Sequence, residues 1–156
     1  MTSDGWMRRF LATDASNSAL LMQRLVLGVV FFPHGAQKVL GWYGGLGFSG
    51  TMDAFTDVMH VPAPIAFLVI IGEFFGSLLL VLGLATRLAA FGITVIMLGA
   101  IATVHAPMGF FMNWLGTKQG EGFEYHVLAL GLSAALMIWG GGRYSIDSQL
   151  AKSAAR

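Results

Sequence analysis

The sequence predicts an all-α integral membrane protein, a four-helix bundle, and three observations support this class. First, the 156 residues contain four apolar stretches, each of about the length that crosses a bilayer as a helix. Second, 56% of the residues are hydrophobic, 11% are charged and the mean hydropathy is +0.71, which is not the composition of a soluble domain. Third, ionisable residues lie inside those stretches, where they usually face the interior of a bundle.

Turn-forming residues separate the four predicted spans. The spans are Ala19–Leu40, Pro64–Leu84, Arg87–Ala106 and Tyr125–Gly140. Glycines and prolines mark the connections, of which the first and third are long and the second is short. We therefore expect an N-terminal segment of residues 1–18, a four-span domain of residues 19–142 and a tail of residues 143–156.

The distribution of lysine and arginine predicts the orientation of the chain. The basic residues that flank the termini and the second connection are Arg8, Arg9, Arg87, Arg143, Lys152 and Arg156. By the positive-inside rule, both termini are expected in the cytoplasm. Apolar residues recur at helical spacing before the first span, at Trp6, Met7, Phe10 and Leu11, and indicate a short interfacial helix.

Composition excludes several classes of partner and chemistry. The net charge of +1, without a basic run, is not the footprint of a nucleic-acid-binding protein. The chain contains no cysteine, which excludes a thiol–disulfide relay, a cysteine-ligated metal or iron–sulfur site, and palmitoylation.

The ionisable residues of the spans gather toward the outer end of the predicted bundle. At a rise of about 1.5 Å per residue, four of them lie ~22–29 Å from the cytoplasmic side of the hydrocarbon core: His34, Lys38, His105 and His126. Glu124 lies beside them. Glu73 lies near mid-membrane, where it must be protonated or paired, and its candidate partners are Arg24, His34 and Lys38.

Each of these residues also has a simpler structural interpretation. Arg24, near the inner end of its helix, can extend to the headgroups, and His105 and His126 can be interfacial residues that water satisfies. Gly72 and Gly76 form a Gly-x-x-x-Gly step that favours close helix contact, and this step directs Glu73 of the same helix into the bundle.

Six short motifs, in order along the chain, resemble the DoxX family of small prokaryotic membrane proteins. They are Arg24-x-x-x-Gly28 through Phe32, His34-Gly35-x-x-Lys38, Gly47-Phe48-x-Gly50-Thr51, Glu73, Leu82-Gly83-x-x-Thr86-Arg87 and Gly142-Arg143-x-Ser145-x-Asp147. The stretch from Gly109 to His126 is similar to a common subgroup. The resemblance covers about residues 18–148. It implies a multi-pass four-helix bundle in the inner membrane of a bacterium or archaeon and a link to redox chemistry, since relatives include a subunit of a thiosulfate:quinone oxidoreductase.

The leading hypothesis is a membrane subunit of an oxidoreductase system that binds quinone or a small redox substrate in the outer cluster. Quinone reduction needs an apolar slot and protonatable groups near the two carbonyl oxygens. We assign catalytic roles to Glu73, His34 and Lys38. The expected contacts to substrate or cofactor are His105, His126, Glu124, Trp114, Trp42 and Arg24. Electrons would come from a small donor or a partner redox subunit, because the chain shows no nucleotide or haem-attachment motif.

Other functions fit the same residues. His34, His105 and His126 are candidate ligands of a divalent metal, and two of them could sandwich haem b. A non-catalytic scaffold or a small-solute transporter is a third class, in which the chain contacts membrane lipid and forms a homo-oligomer. Both long connections are expected to fold over the cluster as a lid that shields their aromatic residues, which are Trp42, Tyr43, Phe48, Phe110, Phe111, Trp114 and Phe123.

Overall fold

The structure is a computed structural model that describes residues 10–153, and this part of the chain is helical without strands. Its helices are α1 (Ser18–Leu40), α2 (Gly47–Asp53), α3 (Ala63–Leu82), α4 (Thr86–Ala100), α5 (Glu124–Trp139) and α6 (Ile146–Ser153). Short 3-10 turns occur at Trp42–Gly44 and Ala106–Met108, and π-helical segments at Ala54–Val58 and Ile101–His105. The all-α class is confirmed. The predicted N-terminal interfacial helix lies largely outside the described residues.

Three helical segments are long and apolar enough to cross a membrane: Ser18–Leu40, Ala63–Leu82 and Thr86–Met108. Four helices close a ring of contacts, in which α1 packs on α3, α3 on α4, α4 on α5 and α5 back on α1. Their buried apolar side chains form the core, with Phe31, Leu80, Ile93 and Leu136 at its centre. The 16-residue α5 is apolar but shorter than the three candidate spans, and its crossing remains a prediction.

Close contact between α1 and α3 depends on two glycines of α1. A Cβ atom added to Gly35 would lie 2.5 Å from Phe74 Cα, and one added to Gly28 would lie 2.9 Å from the backbone of α3. Gly72 and Gly76 of α3 face α4, where an added Cβ would meet side-chain atoms at 3.4 and 3.8 Å, an ordinary contact. The close helix approach predicted for Gly72 and Gly76 is therefore made by Gly28 and Gly35 instead.

Arg24 fastens three segments together at the end of the bundle where α1 begins. Its side chain is 2% exposed. The guanidinium donates hydrogen bonds to five backbone carbonyls, those of Leu80, Val81, Gly141, Arg143 and Tyr144. A planar group with five N–H donors can bind separate carbonyls at once, which an ammonium cannot do. We call this end of the bundle the arginine end, and the opposite end the histidine end.

Asp147 performs a second structural task at the arginine end. Its carboxylate accepts from the amides of Ala85, at 2.7 Å, and Thr86, at 2.8 Å, so it caps the start of α4. Its own amide donates to the Gly83 carbonyl at 2.9 Å. Ser145 beside it is fully buried. Ser145, Asp147 and Ser148, in the segment that was expected to be a tail, are thus buried at this end of the bundle.

The two ends of the described chain meet at the arginine end. The Arg143 amide donates to the Asn17 carbonyl at 3.0 Å, and the Thr13 hydroxyl donates to the Trp139 carbonyl at 3.1 Å. Arg87 donates to the Ile138 carbonyl at 2.7 Å and so covers the end of α5. The chain therefore enters α1 and leaves α5 at the same end of the bundle.

Candidate functional site

An ion pair joins α1 to α3 in the histidine half of the bundle. Lys38 Nζ lies 2.5 Å from Glu73 Oε2, and the side chains are 23% and 6% exposed. Gly35, one turn before Lys38, lets α3 approach closely enough for this contact. Of the partners expected for Glu73, the structure selects Lys38. Arg24 instead donates its hydrogen bonds to backbone carbonyls at the other end of the bundle.

Two histidines meet at the histidine end. The ring centroids of His105 and His126 are 4.1 Å apart, and His126 is buried. His105 Nδ1 lies 2.8 Å from the Glu121 carbonyl oxygen. A carbonyl oxygen only accepts, so neutral His105 carries its proton on Nδ1 and leaves Nε2 as an acceptor. His126 Nδ1 is buried and has no hydrogen-bond partner among residues 10–153.

A π-helical turn places His105 on the inward face of its helix. The buried face of α4 includes Ile93 and Met97, and in a regular α-helix Val104 would continue it. Segment Ile101–His105 is π-helical, and its wider turn delays the register by about one residue. His105 therefore takes the inward position, while Val104 is exposed. π turns are frequent at functional sites, and here the turn has a defined consequence for a titratable residue.

Tyr125 packs beside the histidine pair. Its ring packs on Phe31 at a centroid distance of 6.1 Å and on His126 at 5.6 Å. The hydroxyl is buried without a hydrogen-bond partner in the described chain, and it lies within electrostatic reach of Glu73. We define the histidine-end cluster as Lys38, Glu73, His105, Tyr125 and His126. Four helical segments contribute to it.

A lateral cleft of about 420 Å³ adjoins the cluster between the third connection and α5. Its lining residues are Phe110, Met112, Trp114, Glu124, Tyr125, Val127 and Leu128. Glu124 Oε1 accepts a hydrogen bond from Trp114 Nε1 at 3.2 Å, so the carboxylate of the lining is already engaged. Tyr125 belongs to both the cleft and the cluster.

The long connections do not shield their aromatic residues as expected. Six of the seven aromatic side chains in question are exposed, and Trp114 is 83% exposed. Trp42 packs edge-on against Phe32 with ring centroids 6.4 Å apart, beside α1. The third connection does reach the cluster, but through the Glu121 backbone at His105. The lid prediction is wrong for these aromatic side chains, because six of the seven rings face outward.

The remaining predicted site residues lie apart from the cluster or in a different role. His34 is exposed on α1, although its carbonyl lies 3.4 Å from Lys38 Nζ. Within residues 10–153 no three His, Asp or Glu side chains converge to hold a metal ion, so the His34, His105 and His126 site lacks its third ligand. Haem b does not fit between His105 and His126 either, since rings 4.1 Å apart leave no room for a porphyrin.

Three features of the site had a weak signal, or none, in the sequence. Tyr125 occurs at the start of a predicted span, where an interfacial aromatic is the common interpretation. The π turn has no marker in the sequence, and only the packing of α4 reveals it. The Glu73 partner was ambiguous because three cations lay within a few helical turns of it.

Comparison with known proteins identifies relatives of this chain. A model of the DoxX family matches residues 19–106. The chain is also similar to the Bacillus subtilis (strain 168) protein named "Putative oxidoreductase CatD", with 29% identity over 116 residues, which is 74% of this chain and 76% of the relative. No solved structure matches the chain.

Proposed function

The chain belongs to the DoxX family, and from this membership we propose that it is the membrane subunit of an oxidoreductase system. We further propose that the histidine-end cluster binds the polar head of a quinone, or of a similar small redox substrate. The name of the Bacillus subtilis relative supports the first part. The observation that carries the second is a pair of buried polar atoms, Tyr125 Oη and His126 Nδ1, that have no hydrogen-bond partner among residues 10–153.

Buried polar atoms are normally paired, and an unpaired one needs an explanation such as a bound group. The Tyr125 hydroxyl can donate a hydrogen bond to a ligand oxygen. His126 Nδ1 can donate or accept, depending on its tautomer. Tyr125 also lines the apolar cleft, which suits a ring or chain. The donor set therefore fits a quinone head better than it fits a metal or haem.

When bound, a quinone supplies an acceptor of two electrons and two protons. Tyr125 and His126 would hold the head and present protons to its oxygens. His105, fixed by the Glu121 carbonyl, keeps Nε2 free to exchange a proton with its neighbour. Lys38 and Glu73 carry opposite charges at the other edge of the cluster, so the site stays neutral overall.

The electrons must come from outside this chain, which contains no cysteine to supply them. A small sulfur oxyanion or a reduced partner subunit is the class of donor that we propose. Each quinone reduced takes up two electrons from that donor and two protons through the cluster.

The test is quinone binding by the purified protein in lipid nanodiscs. Bound quinone is extracted and identified, and a tail-less quinone is titrated against wild type, Tyr125→Phe and His126→Phe. Tyr125→Phe removes only the hydroxyl, and loss of one hydrogen bond of about 1 kcal/mol weakens binding about fivefold. The exposed His60→Gln variant is the control and should bind as wild type. Absence of saturable quinone binding by wild type would overturn the proposal.

A further inference from the structure

The lateral cleft faces the region where lipid surrounds the bundle. Val127 and Leu128 lie on the outer surface of α5, and Leu128 is 69% exposed. On the other side of the cleft, the third connection carries Trp114 and Leu115, which are 83% and 87% exposed. Such apolar exposure is unfavourable in water and favourable in the outer part of a bilayer. The walls of the cleft are therefore suited to contact with hydrocarbon.

The polar content of the cleft is small. Trp114 Nε1 donates to Glu124 Oε1 at the mouth, and this hydrogen bond ties the third connection to the first residue of α5. The other wall residues, apart from Tyr125, are apolar. An anionic headgroup would find no cation in this lining. A neutral hydrocarbon chain fits it.

Tyr125 is the residue that the cleft and the cluster share. One side of this residue lines the cleft, while its hydroxyl is buried within electrostatic reach of Glu73. A ligand with an apolar chain and a polar head could therefore place its chain in the cleft and direct its head toward Tyr125 and His126. A ligand that enters from the aqueous side would not need to contact the apolar walls.

We infer that the lateral cleft is an access route from the bilayer, which holds the isoprenoid tail of a membrane-dissolved quinone while the head reaches the histidine-end cluster. The Trp114–Glu124 hydrogen bond forms the outer edge of this route and keeps the third connection in place. The inference rests on the proposed function, since it assigns the tail of the same ligand. It adds the direction of approach and the residues that select a lipid-soluble substrate.

The experiment uses a quinone with a photoreactive diazirine on its tail, added to the wild-type protein in nanodiscs. After illumination, labelled peptides are identified by mass spectrometry. Labelling should be saturable, should be displaced by excess tail-less quinone, and should map to residues 110–114 and 127–128. Leu128→Trp should fill the cleft and reduce this labelling about tenfold. Leu98→Trp, on the exposed face of α4, is the matched control and should leave it unchanged.

The possible results of this experiment distinguish a failure of the access route from a failure of the proposed function. Saturable, displaceable labelling that maps to other helices would overturn the access route and leave quinone binding intact. Equal labelling of the cleft by a diazirine phospholipid, insensitive to tail-less quinone, would show that the cleft holds only lipid and would also overturn it. Tail-less quinone that binds neither wild type nor variants would refute the proposed function, and the access route with it.

Discussion

Arg24 acts as a structural residue because all of its bonding groups are directed at backbone carbonyls. Five hydrogen bonds connect it to the end of α3 and to the turn after α5. This arrangement explains why several motifs that resemble the DoxX family occur around Gly83, Thr86 and Asp147, since these residues meet at the same end. A family motif can thus mark a fold requirement rather than a reaction.

We expect Arg24→Lys to lower stability by at least about 3 kcal/mol. A lysine ammonium cannot reach three separate segments, and buried carbonyls left without a partner cost about 1–3 kcal/mol each. Thermal unfolding in detergent measures the effect. Arg143→Lys is the control, because the Arg143 side chain is exposed. Equal stability of Arg24→Lys and wild type would show that the carbonyls find other donors.

The Lys38–Glu73 pair predicts an asymmetric response to mutation. Lys38→Met leaves a carboxylate that is 6% exposed without its cation, which costs about 3–5 kcal/mol for a buried pair. Glu73→Gln should cost less, because Lys38 is partly exposed and can extend toward water. Unfolding of the two single variants and the double variant measures the coupling. A double variant no more stable than Lys38→Met would contradict the buried pair.

The positions of the helices along the chain could be predicted from the sequence, but the packing contacts between the helices could not. Apolar length placed the spans within a few residues, since α1 begins at Ser18 and the predicted span at Ala19. Which glycines permit close packing depends on helix rotation, which a Gly-x-x-x-Gly spacing does not determine. Gly28 and Gly35 are seven residues apart, so they lie on one face without forming that motif.

We expect Gly35→Ala to separate α1 from α3 and to weaken the Lys38–Glu73 contact. The added methyl would overlap the α3 backbone, and overpacking of this kind costs about 1–3 kcal/mol. Gly92→Ala is the matched control, since an added Cβ at Gly92 meets nothing within 4 Å. Thermal unfolding of both variants distinguishes a packing effect from a general effect of alanine. A Gly35→Ala protein as stable as Gly92→Ala would contradict the close approach.

The π turn of segment Ile101–His105 can be tested by cross-linking, because the chain contains no native cysteine. His105→Cys with His126→Cys should react with a short bis-methanethiosulfonate reagent, since the two side chains face each other. Val104→Cys with His126→Cys should react much less. Mass spectrometry of the purified protein gives the linked fraction. Preferential linking through position 104 would show a regular helix in place of the π turn.

For the molecule as a whole, the topology is constrained by a contact between the segment before α1 and the segment after α5. Asn17 and Arg143 are hydrogen-bonded, so the start of α1 and the segment after α5 lie on the same side. An even number of crossings follows if the bundle spans the membrane, and α5 is then the fourth. The lysine and arginine pattern predicts that this side is cytoplasmic.

A fusion after residue 156 tests this orientation. Green fluorescent protein should fluoresce there, and alkaline phosphatase should be inactive, because the first folds in the cytoplasm and the second in the periplasm. The same pair fused after Gly116, in the third connection, should give the opposite result. Phosphatase activity at the C-terminus would reverse the predicted topology.

The position of Asp147 also bears on the order in which the protein is assembled during synthesis. Arg24 enters the membrane with the first helix, yet three of its five carbonyl partners belong to residues 141–144. The cap of α4 likewise forms only after Asp147 has been synthesised. The contacts that hold the early helices at the arginine end therefore stay incomplete until residues 141–147 have been synthesised. A chain stopped short of residue 141 would carry an unsatisfied arginine in the membrane, a state that quality-control proteases can recognise.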